Sequence, residues 1–448
     1  MRKINPFKLL VLGYIGIILL GALLLLLPLS RRGPLSPIDA LFTATSAVCV
    51  TGLIVKDTAT FFTAFGKGVL LLLIQIGGLG YMTFATLILF ILGKKGSLAL
   101  RMTMAESFPE LTIGNVYNFS KRIAIYAFSM EAAGAALLYA GFSRYGIENS
   151  FGHALFNSVS AFCNAGFSTF SDSLSRFRGD PLVVLPVMFL FITGGLGFFV
   201  LDDLERRFLK RSERRLLLHT KVVLLSTISL IIAGAVFLFF CEYRGEFAAY
   251  GLSEKVLAAL FQATTPRTAG FSTVDIGKLA PPSLLLIIFL MVVGGSPGGT
   301  AGGVKTTALS GLLIWIKAYL SGKEEAHFMG RKLSEDTIKR IFSVWTLAAT
   351  TLFISSFVVA LSESSGLKSY GFLPYFFEVA SAFGTVGLST GSHIQAYVSL
   401  ARDFSTVGKG VIIITMLTGR VGVLSMAAFL VRKKRDYISH IEGKFIVG

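Results

Sequence analysis

The sequence predicts an all-α membrane protein: eight transmembrane helices in four parallel repeats of helix, re-entrant loop, helix, set around one central axis. Three observations carry this. The 448 residues are 53% apolar and 15% charged, with mean hydropathy +0.72, and long uncharged runs recur from end to end. One short segment recurs four times. On either side of every copy lies a run long enough to cross roughly 30 Å of hydrocarbon at 1.5 Å per residue.

The elements follow in order. The first run, Leu9 to Leu27 behind Arg2, Lys3 and Lys8, is long for a signal peptide's apolar region and opens a pattern that recurs, so it is expected to be retained and to span. Outgoing helices are expected over residues 9–29, 120–142, 221–241 and 339–361, and returning ones over 67–92, 182–201, 283–320 and 406–431. The repeats then occupy 1–92, 118–201, 220–320 and 339–431, with a cytoplasmic tail at 432–448.

The net charge of +17 suggests nucleic acid until it is mapped on this topology. With the N-terminus inside, the inner segments carry 26 of the 42 Lys and Arg residues and the outer ones 14, while the acids divide evenly. That is the positive-inside bias of a multi-pass protein of the cell membrane with both termini cytoplasmic, in contact with lipid and not with nucleic acid. The basic run Glu205 to Arg215 reads as a solvated inner loop. Cys49, Cys163 and Cys241 are odd in number and lie in or near predicted spans, so no structural disulfide is expected.

The four copies are "ALFTATSAVCVTGL" (Ala40 to Leu53), "ALFNSVSAFCNAGF" (Ala154 to Phe167), "ALFQATTPRTAGF" (Ala259 to Phe271) and "YFFEVASAFGTVGL" (Tyr375 to Leu388). Each is an apolar stretch too short to span, ending in small and polar residues and then Gly52, Gly166, Gly270 or Gly387, at spacings of 114, 104 and 117 residues. Non-helical backbone at membrane depth survives only when buried in protein or lining a water path. Four such loops satisfy this together by converging on one axis, where their carbonyls ring a pore and coordinate dehydrated cations. The half-helix C-termini aim their negative dipole ends at the same ions. Glycine at one place in all four loops supplies the backbone angles that turning carbonyls inward requires.

A second glycine-rich stretch, "VVGGSPGGTAGGVKTT" (Val292 to Thr307), invites comparison with a phosphate-binding loop. A Walker A loop needs G-x-x-x-x-G-K-[ST] between a strand and a helix. Gly298 to Gly303 fits the first six positions, but Val304 stands where the lysine belongs and Lys305 comes one residue late. No nucleotide site is therefore expected on this chain. Glycine costs a helix about 1 kcal/mol and proline about 3. Gly294, Gly295, Pro297, Gly298, Gly299, Gly302 and Gly303 together predict a helix that enters, unwinds in the membrane below the loops, and resumes after Lys305. Ser296, Thr300 and Thr306 would offer hydroxyls to the water path. Shorter weak points stand at Gly77 to Gly80, Gly194 to Gly197 and Thr418 to Gly422. Arg420 and Glu131 are intramembrane charges, which by default mark functional sites. Glu131 is expected to pair with a neighbouring helix, and Glu378 to favour cations near the mouth. The few acid, base and nucleophile groups at membrane depth, and the scattered histidines, argue against an enzyme or a metal centre.

The four loops, with "LIQIGGLGYMTF" (Leu73 to Phe84), "FITGGLGF" (Phe191 to Phe198), "PRTAGF" (Pro266 to Phe271), "GGSPGGTAGGVKT" (Gly294 to Thr306) and "SAFGTVGLSTG" (Ser381 to Gly391), resemble the Trk/Ktr/HKT superfamily of potassium transporters over nearly the whole chain. Opening directly on repeat one, the chain is most similar to the membrane subunits of Ktr systems. The resemblance implies K⁺ coordination by backbone carbonyls of Cys49, Val50, Thr51 and Gly52; Cys163, Asn164, Ala165 and Gly166; Arg267, Thr268, Ala269 and Gly270; and Gly384, Thr385, Val386 and Gly387. It implies that Gly294, Gly295, Ser296, Pro297, Gly298, Gly299, Thr300, Gly302, Gly303 and Lys305 belong to an intramembrane gating loop. Arg420 would project into the pore below the filter, raise an electrostatic barrier and donate hydrogen bonds to the loop's carbonyls. It further implies a homodimer on a separate cytosolic ring of nucleotide-binding (KtrA-like) regulatory subunits, and Na⁺ as a coupling or activating ion. Gly52 stands where Na⁺-preferring plant relatives carry serine, which favours K⁺. A Na⁺-preferring or weakly selective carrier of the same fold is the alternative.

Overall fold

Proline and short polar caps start many of the helices. Ser36, Thr63, Asp180, Ser334 and Ser405 each accept a hydrogen bond from a backbone N–H in the first turn they precede, and Pro37 and Pro181 hold the first helical position. The structure is a computed structural model that describes residues 6–80, 83, 116–208, 215–323 and 325–430. The expected extension of the first returning helix to residue 92 and the tail at 432–448 lie outside these residues.

Four times the chain runs through a long helix, a buried half-helix and a shorter returning helix. The first passage is α1 (Pro6–Leu26), α2 (Pro37–Val48) and α3 (Ala64–Leu79). The second is α4 (Val116–Ser143), α5 (Ser150–Phe162), α6 (Pro181–Leu196) and α7 (Phe198–Phe208). The third is α8 (Leu218–Glu242), α9 (Leu252–Thr264), α10 (Pro281–Val293) and α11 (Thr306–Leu320). The fourth is α12 (Glu335–Ser362), the short α13 (Ser364–Tyr370), α14 (Phe372–Gly384), α15 (Thr406–Val421) and α16 (Val423–Leu430). A two-residue hairpin, β1 (His327–Phe328) with β2 (Arg331–Lys332), lies between the third and fourth passages and departs from an all-helical reading.

At the end of each long helix the chain is tied to the start of the returning helix that follows. Thr63 N–H donates to the Ser30 carbonyl (3.1 Å) and the Tyr145 hydroxyl to Asp180 (3.0 Å). Ala280 N–H donates to Glu242 (2.8 Å) and Ser405 N–H to Glu363 (3.0 Å).

The half-helices α2, α5, α9 and α14 are buried along most of their length. The long helices surround them and turn Leu19, Phe128, Ile232 and Phe353 outward, the last 72% exposed. Apolar surface on that scale needs lipid against it. α1, α4, α8 and α12 are long and apolar enough to span alone.

The returning helices of repeats two and four break at the weak points expected in them. α3, α6 and α15 each end at a left-handed glycine, Gly80 (φ +78°), Gly197 (φ +98°) and Gly422 (φ +92°), and the chain bends there by 102° between α6 and α7 and by 107° between α15 and α16. The expected spans 182–201 and 406–431 are therefore bent pairs. In the third passage α10 stops at Gly294 and α11 starts at Thr306, so the expected unwound stretch is present.

One buried ion pair locks the first half-helix to the last returning helix. Lys409 donates to Asp39 at 2.8 Å, with side-chain exposures of 8% and 10%. Removing one partner leaves the other charge buried and alone, which costs about 3–5 kcal/mol. Lys409→Met should lower the thermal midpoint of the purified protein by several degrees, and adding Asp39→Asn should recover much of the loss; equal midpoints for both would refute the coupling.

Candidate functional site: four glycine loops above an unwound helix

Each half-helix ends in a loop that alternates backbone hand. Val50 (φ +49°), Asn164 (φ +58°), Thr268 (φ +75°) and Thr385 (φ +51°) are left-handed non-glycine residues. Two residues on, Gly52, Gly166, Gly270 and Gly387 are left-handed again, at φ +93°, +69°, +77° and +93°. Alternating hands turn successive carbonyls to the same side of the strand.

The four glycines close a ring. A Cβ on Gly52 would lie 2.5 Å from the Ala165 carbonyl oxygen, and one on Gly166 would lie 3.0 Å from Gly270 Cα. A Cβ on Gly270 would lie 2.2 Å from the Val386 carbonyl oxygen, and one on Gly387 2.2 Å from that of Thr51, back at the first loop. All four also line one open cavity of about 670 Å³, whose wall carries Asp57, Asp172, Glu246 and Asp275 against Arg178 and Lys278.

Hydroxyls that the sequence pattern alone did not bring forward fasten this backbone. Ser46 and Ser381 accept from the Gly52 and Gly387 N–H groups, both at 3.1 Å. Ser160 and Thr265 donate to the carbonyls of Phe167 and Phe271, both at 2.6 Å. The signal was available: a hydroxyl residue five or six positions before every ring glycine. Further back, Asn157 donates to Thr169 (2.8 Å) and Gln262 to Ser272 (2.9 Å), bracing the chain beyond the ring. Glu378 holds the corresponding place in the fourth half-helix. It is fully buried and accepts from Ala401 N–H at 2.9 Å, so it stands behind the loop and not at the mouth, correcting the expectation.

Cys49, Cys163, Arg267 and Gly384 open the loops. Cys49 caps α2, its N–H bonded to Thr45 O at 2.8 Å, and the three cysteines are free thiols. Cys163 turns its sulfur away from the ring, toward Gln75 (3.7 Å) and Glu131 (3.8 Å). Gln75 of α3 also donates to both Glu131 oxygens, at 3.0 and 3.2 Å, so the intramembrane glutamate is bonded to a neighbouring helix. The Arg267 carbonyl lies 3.5 Å from Asn164 Nδ2.

Glycines in the returning helices let the half-helices approach. A Cβ on Gly77, Gly194 or Gly419 would come within 2.1 Å of the carbonyl oxygen of Val48, Phe162 or Phe383, the last turn of the facing half-helix.

The unwound stretch from Gly294 to Lys305 reaches the second and fourth passages directly, and the first through Arg420. Ser296 and Thr300 N–H donate to Gly195 O (3.0 Å) and Gly194 O (3.1 Å), and Phe198 N–H donates to Gly298 O (2.9 Å). The Thr300 hydroxyl meets Asn164 Oδ1 at 2.9 Å, and Gly302 packs on Thr385, where a Cβ would lie 2.1 Å from the hydroxyl. The Ser296 and Thr306 hydroxyls bond across the base at 2.9 Å. Arg420, the last turn of α15, donates to the Thr300 carbonyl and to the Gly77 and Gly78 carbonyls of α3. Lys305 Nζ donates to Ala301 O (2.7 Å) and Gly302 O (3.3 Å). The stretch thus lies against residues of the second and fourth loops, Asn164 and Thr385, and two cations hold its carbonyls.

A profile of the TrkH family, described as cation transport protein, matches residues 20–440. The chain belongs to that family. It is a multi-pass membrane cation transporter and not an enzyme. It is 39% identical to Ktr system potassium uptake protein B of Bacillus subtilis, over 100% of this chain and 97% of that one. It is 35% identical to Potassium/sodium uptake protein NtpJ of Enterococcus hirae, over 96% and 94%. Its fold matches the crystal structure of the potassium transporter TrkH from Vibrio parahaemolyticus with TM-score 0.75 at 19% identity, covering 96% of this chain and 86% of that one. The membership agrees with the sequence resemblance.

Proposed function

We propose that this chain is the pore-forming membrane subunit of a Ktr-type K⁺ uptake system. The closed ring of Gly52, Gly166, Gly270 and Gly387 is the observation that carries the reading. Its carbonyls replace the hydration shell of K⁺, and the acidic vestibule concentrates cations above it. The names of the relatives from Bacillus subtilis and Vibrio alginolyticus, both Ktr system potassium uptake protein B, support K⁺ as the substrate. That of NtpJ supports Na⁺ as a second ion of the system.

Gly294 to Gly303 is the gate. Held under the ring by α6, Asn164 and Arg420, it blocks the path from the vestibule to the cytoplasm, and its glycines allow it to swing aside. Arg420 adds a positive charge to the blocked path. The termini face the cytoplasm, where a separate nucleotide-binding ring moves the gate, and two chains form a dimer with one pore each.

Purified protein in liposomes should take up Rb⁺, with K⁺ competing strongly and Na⁺ and Li⁺ weakly. No Rb⁺ uptake would overturn the reading, and equal competition by Na⁺ and K⁺ would overturn its selectivity. Gly52→Ser should shift the preference toward Na⁺ by about tenfold, because a Cβ at 2.5 Å from the Ala165 carbonyl distorts the ring; unchanged preference counts against the filter.

A further inference from the structure

We propose that Asn164 is a positioning residue that ties the cation affinity of the filter to the position of the gate. With the gate in place its amide hydrogen competes with an ion for the Arg267 carbonyl, and release of the gate frees that oxygen. The inference rests on the filter and gate readings above.

Val50, Asn164, Thr268 and Thr385 hold one position in the four loops, two residues before each ring glycine, and all four are left-handed. Asparagine enters that backbone region more readily than a β-branched residue does. Of the four, Asn164 is the one whose side chain bonds both the unwound stretch and a neighbouring loop. The Thr300 hydroxyl meets its Oδ1 at 2.9 Å, and its Nδ2 lies 3.5 Å from the Arg267 carbonyl oxygen and 3.3 Å from the Thr268 hydroxyl. Asn164 and Thr300 are each 1% exposed, so neither side chain turns to solvent for a partner.

The donors and acceptors fix the direction of this relay. The Arg267 carbonyl can only accept, so the amide nitrogen faces it. Oδ1 then faces Thr300, whose hydroxyl donates to it; the other acceptor of that hydroxyl, the Phe162 carbonyl, is farther away at 3.3 Å. α6 lies behind the amide, where a Cβ on Gly194 would come within 2.8 Å of Oδ1 and one on Gly195 within 3.4 Å of Nδ2. A carbonyl that accepts an N–H offers less to a dehydrated cation, because both use the same lone pairs. A seated gate therefore weakens the hold of the third loop on an ion, and a freed gate strengthens it. By linkage the effect runs both ways. An ion that takes the Arg267 carbonyl loosens the tie to Thr300, so the transported cation favours release of the gate.

The test is Rb⁺ uptake by the full chain in liposomes, read as half-saturating concentration and maximal rate separately, over a cycle of Thr300→Val and Asn164→Gly. Valine keeps nearly the shape of threonine and removes the hydroxyl that orients the amide. Glycine adopts the left-handed backbone without strain and removes the amide. Thr300→Val should lower the half-saturating concentration about fourfold, the scale of one weak hydrogen bond, and should leave it within about 1.5-fold when made on top of Asn164→Gly. A half-saturating concentration unchanged in Thr300→Val would overturn the proposal, because a latch acting on the gate alone alters the maximal rate only. Equal lowering in both backgrounds would overturn it as well, because Thr300 would then act without Asn164. If Asn164→Gly is not recovered folded, Asn164→Asp takes its place, since it keeps the acceptor for Thr300 and lacks the N–H, and the same outcomes decide. Gly387→Ala and Arg420→Ala in the same preparation separate the readings. Flux surviving the first means the filter reading has failed, and flux not raised by the second means the gate reading has failed. Both behaving as expected, with no difference between the two backgrounds at position 164, means this proposal alone has failed.

Discussion

Gly387→Ala should reduce Rb⁺ flux in liposomes by at least a hundredfold while the protein still purifies as a folded species. The added Cβ would lie 2.2 Å from the Thr51 carbonyl oxygen and 2.8 Å from Gly52 Cα, both backbone atoms that have no side-chain freedom with which to yield. Either the first loop moves or the fourth does, and the ring no longer presents its oxygens to one ion. Left-handed strain of about 1–2 kcal/mol comes in addition. Gly391→Ala separates the two causes. Gly391 has the same φ of about +92°, yet a Cβ there meets nothing within 4 Å. That variant should keep most of the flux. Equal losses in both would mean that backbone strain, and not crowding of the ring, is responsible.

Arg420→Ala should do the opposite and raise Rb⁺ flux by more than tenfold. The guanidinium bonds the Thr300 carbonyl of the unwound stretch to the Gly77 and Gly78 carbonyls of α3, so its loss frees the proposed gate from the first passage. It also removes a positive charge from the path. At roughly 8 Å and an effective dielectric near 20, that charge opposes a passing cation by about 2 kcal/mol, or about thirtyfold in rate. Arg420→Lys keeps the charge but not the forked geometry, and should fall between the two. A flux in Arg420→Ala no higher than the parent's would remove Arg420 from the gate.

The loops were legible because four copies carry glycine in one register, and a glycine turn recurring four times in register points to one shared axis rather than to four separate packing contacts. The unwound stretch was legible because seven Gly and Pro residues within ten positions leave no helix intact. The glycine clusters at Gly77 to Gly80, Gly194 to Gly197 and Thr418 to Gly422 were legible as weak points, but the sharp bends at Gly197 and Gly422 were not, since a glycine costs a helix only about 1 kcal/mol and is often tolerated. What decides them lies in the tertiary contacts: Phe162 and Phe383 press their carbonyls on Gly194 and Gly419, and the chain turns three residues later. Glu378 was misplaced for a similar reason. Its burial depends on Ala401, some twenty residues on, folding over it to donate a hydrogen bond. The engagement of Arg420 with α3 joins residues 343 positions apart, a separation at which no local pattern speaks.

Whether four glycine loops coordinate a dehydrated cation on one axis can be measured by soaking crystals of this protein with Rb⁺ or Tl⁺ and recording the anomalous scattering. A peak is expected on the axis between the carbonyls of Thr51, Ala165, Ala269 and Val386. Peaks confined to the vestibule acids Asp57, Asp172 and Asp275, with none on the axis, would contradict a carbonyl filter at the glycine ring.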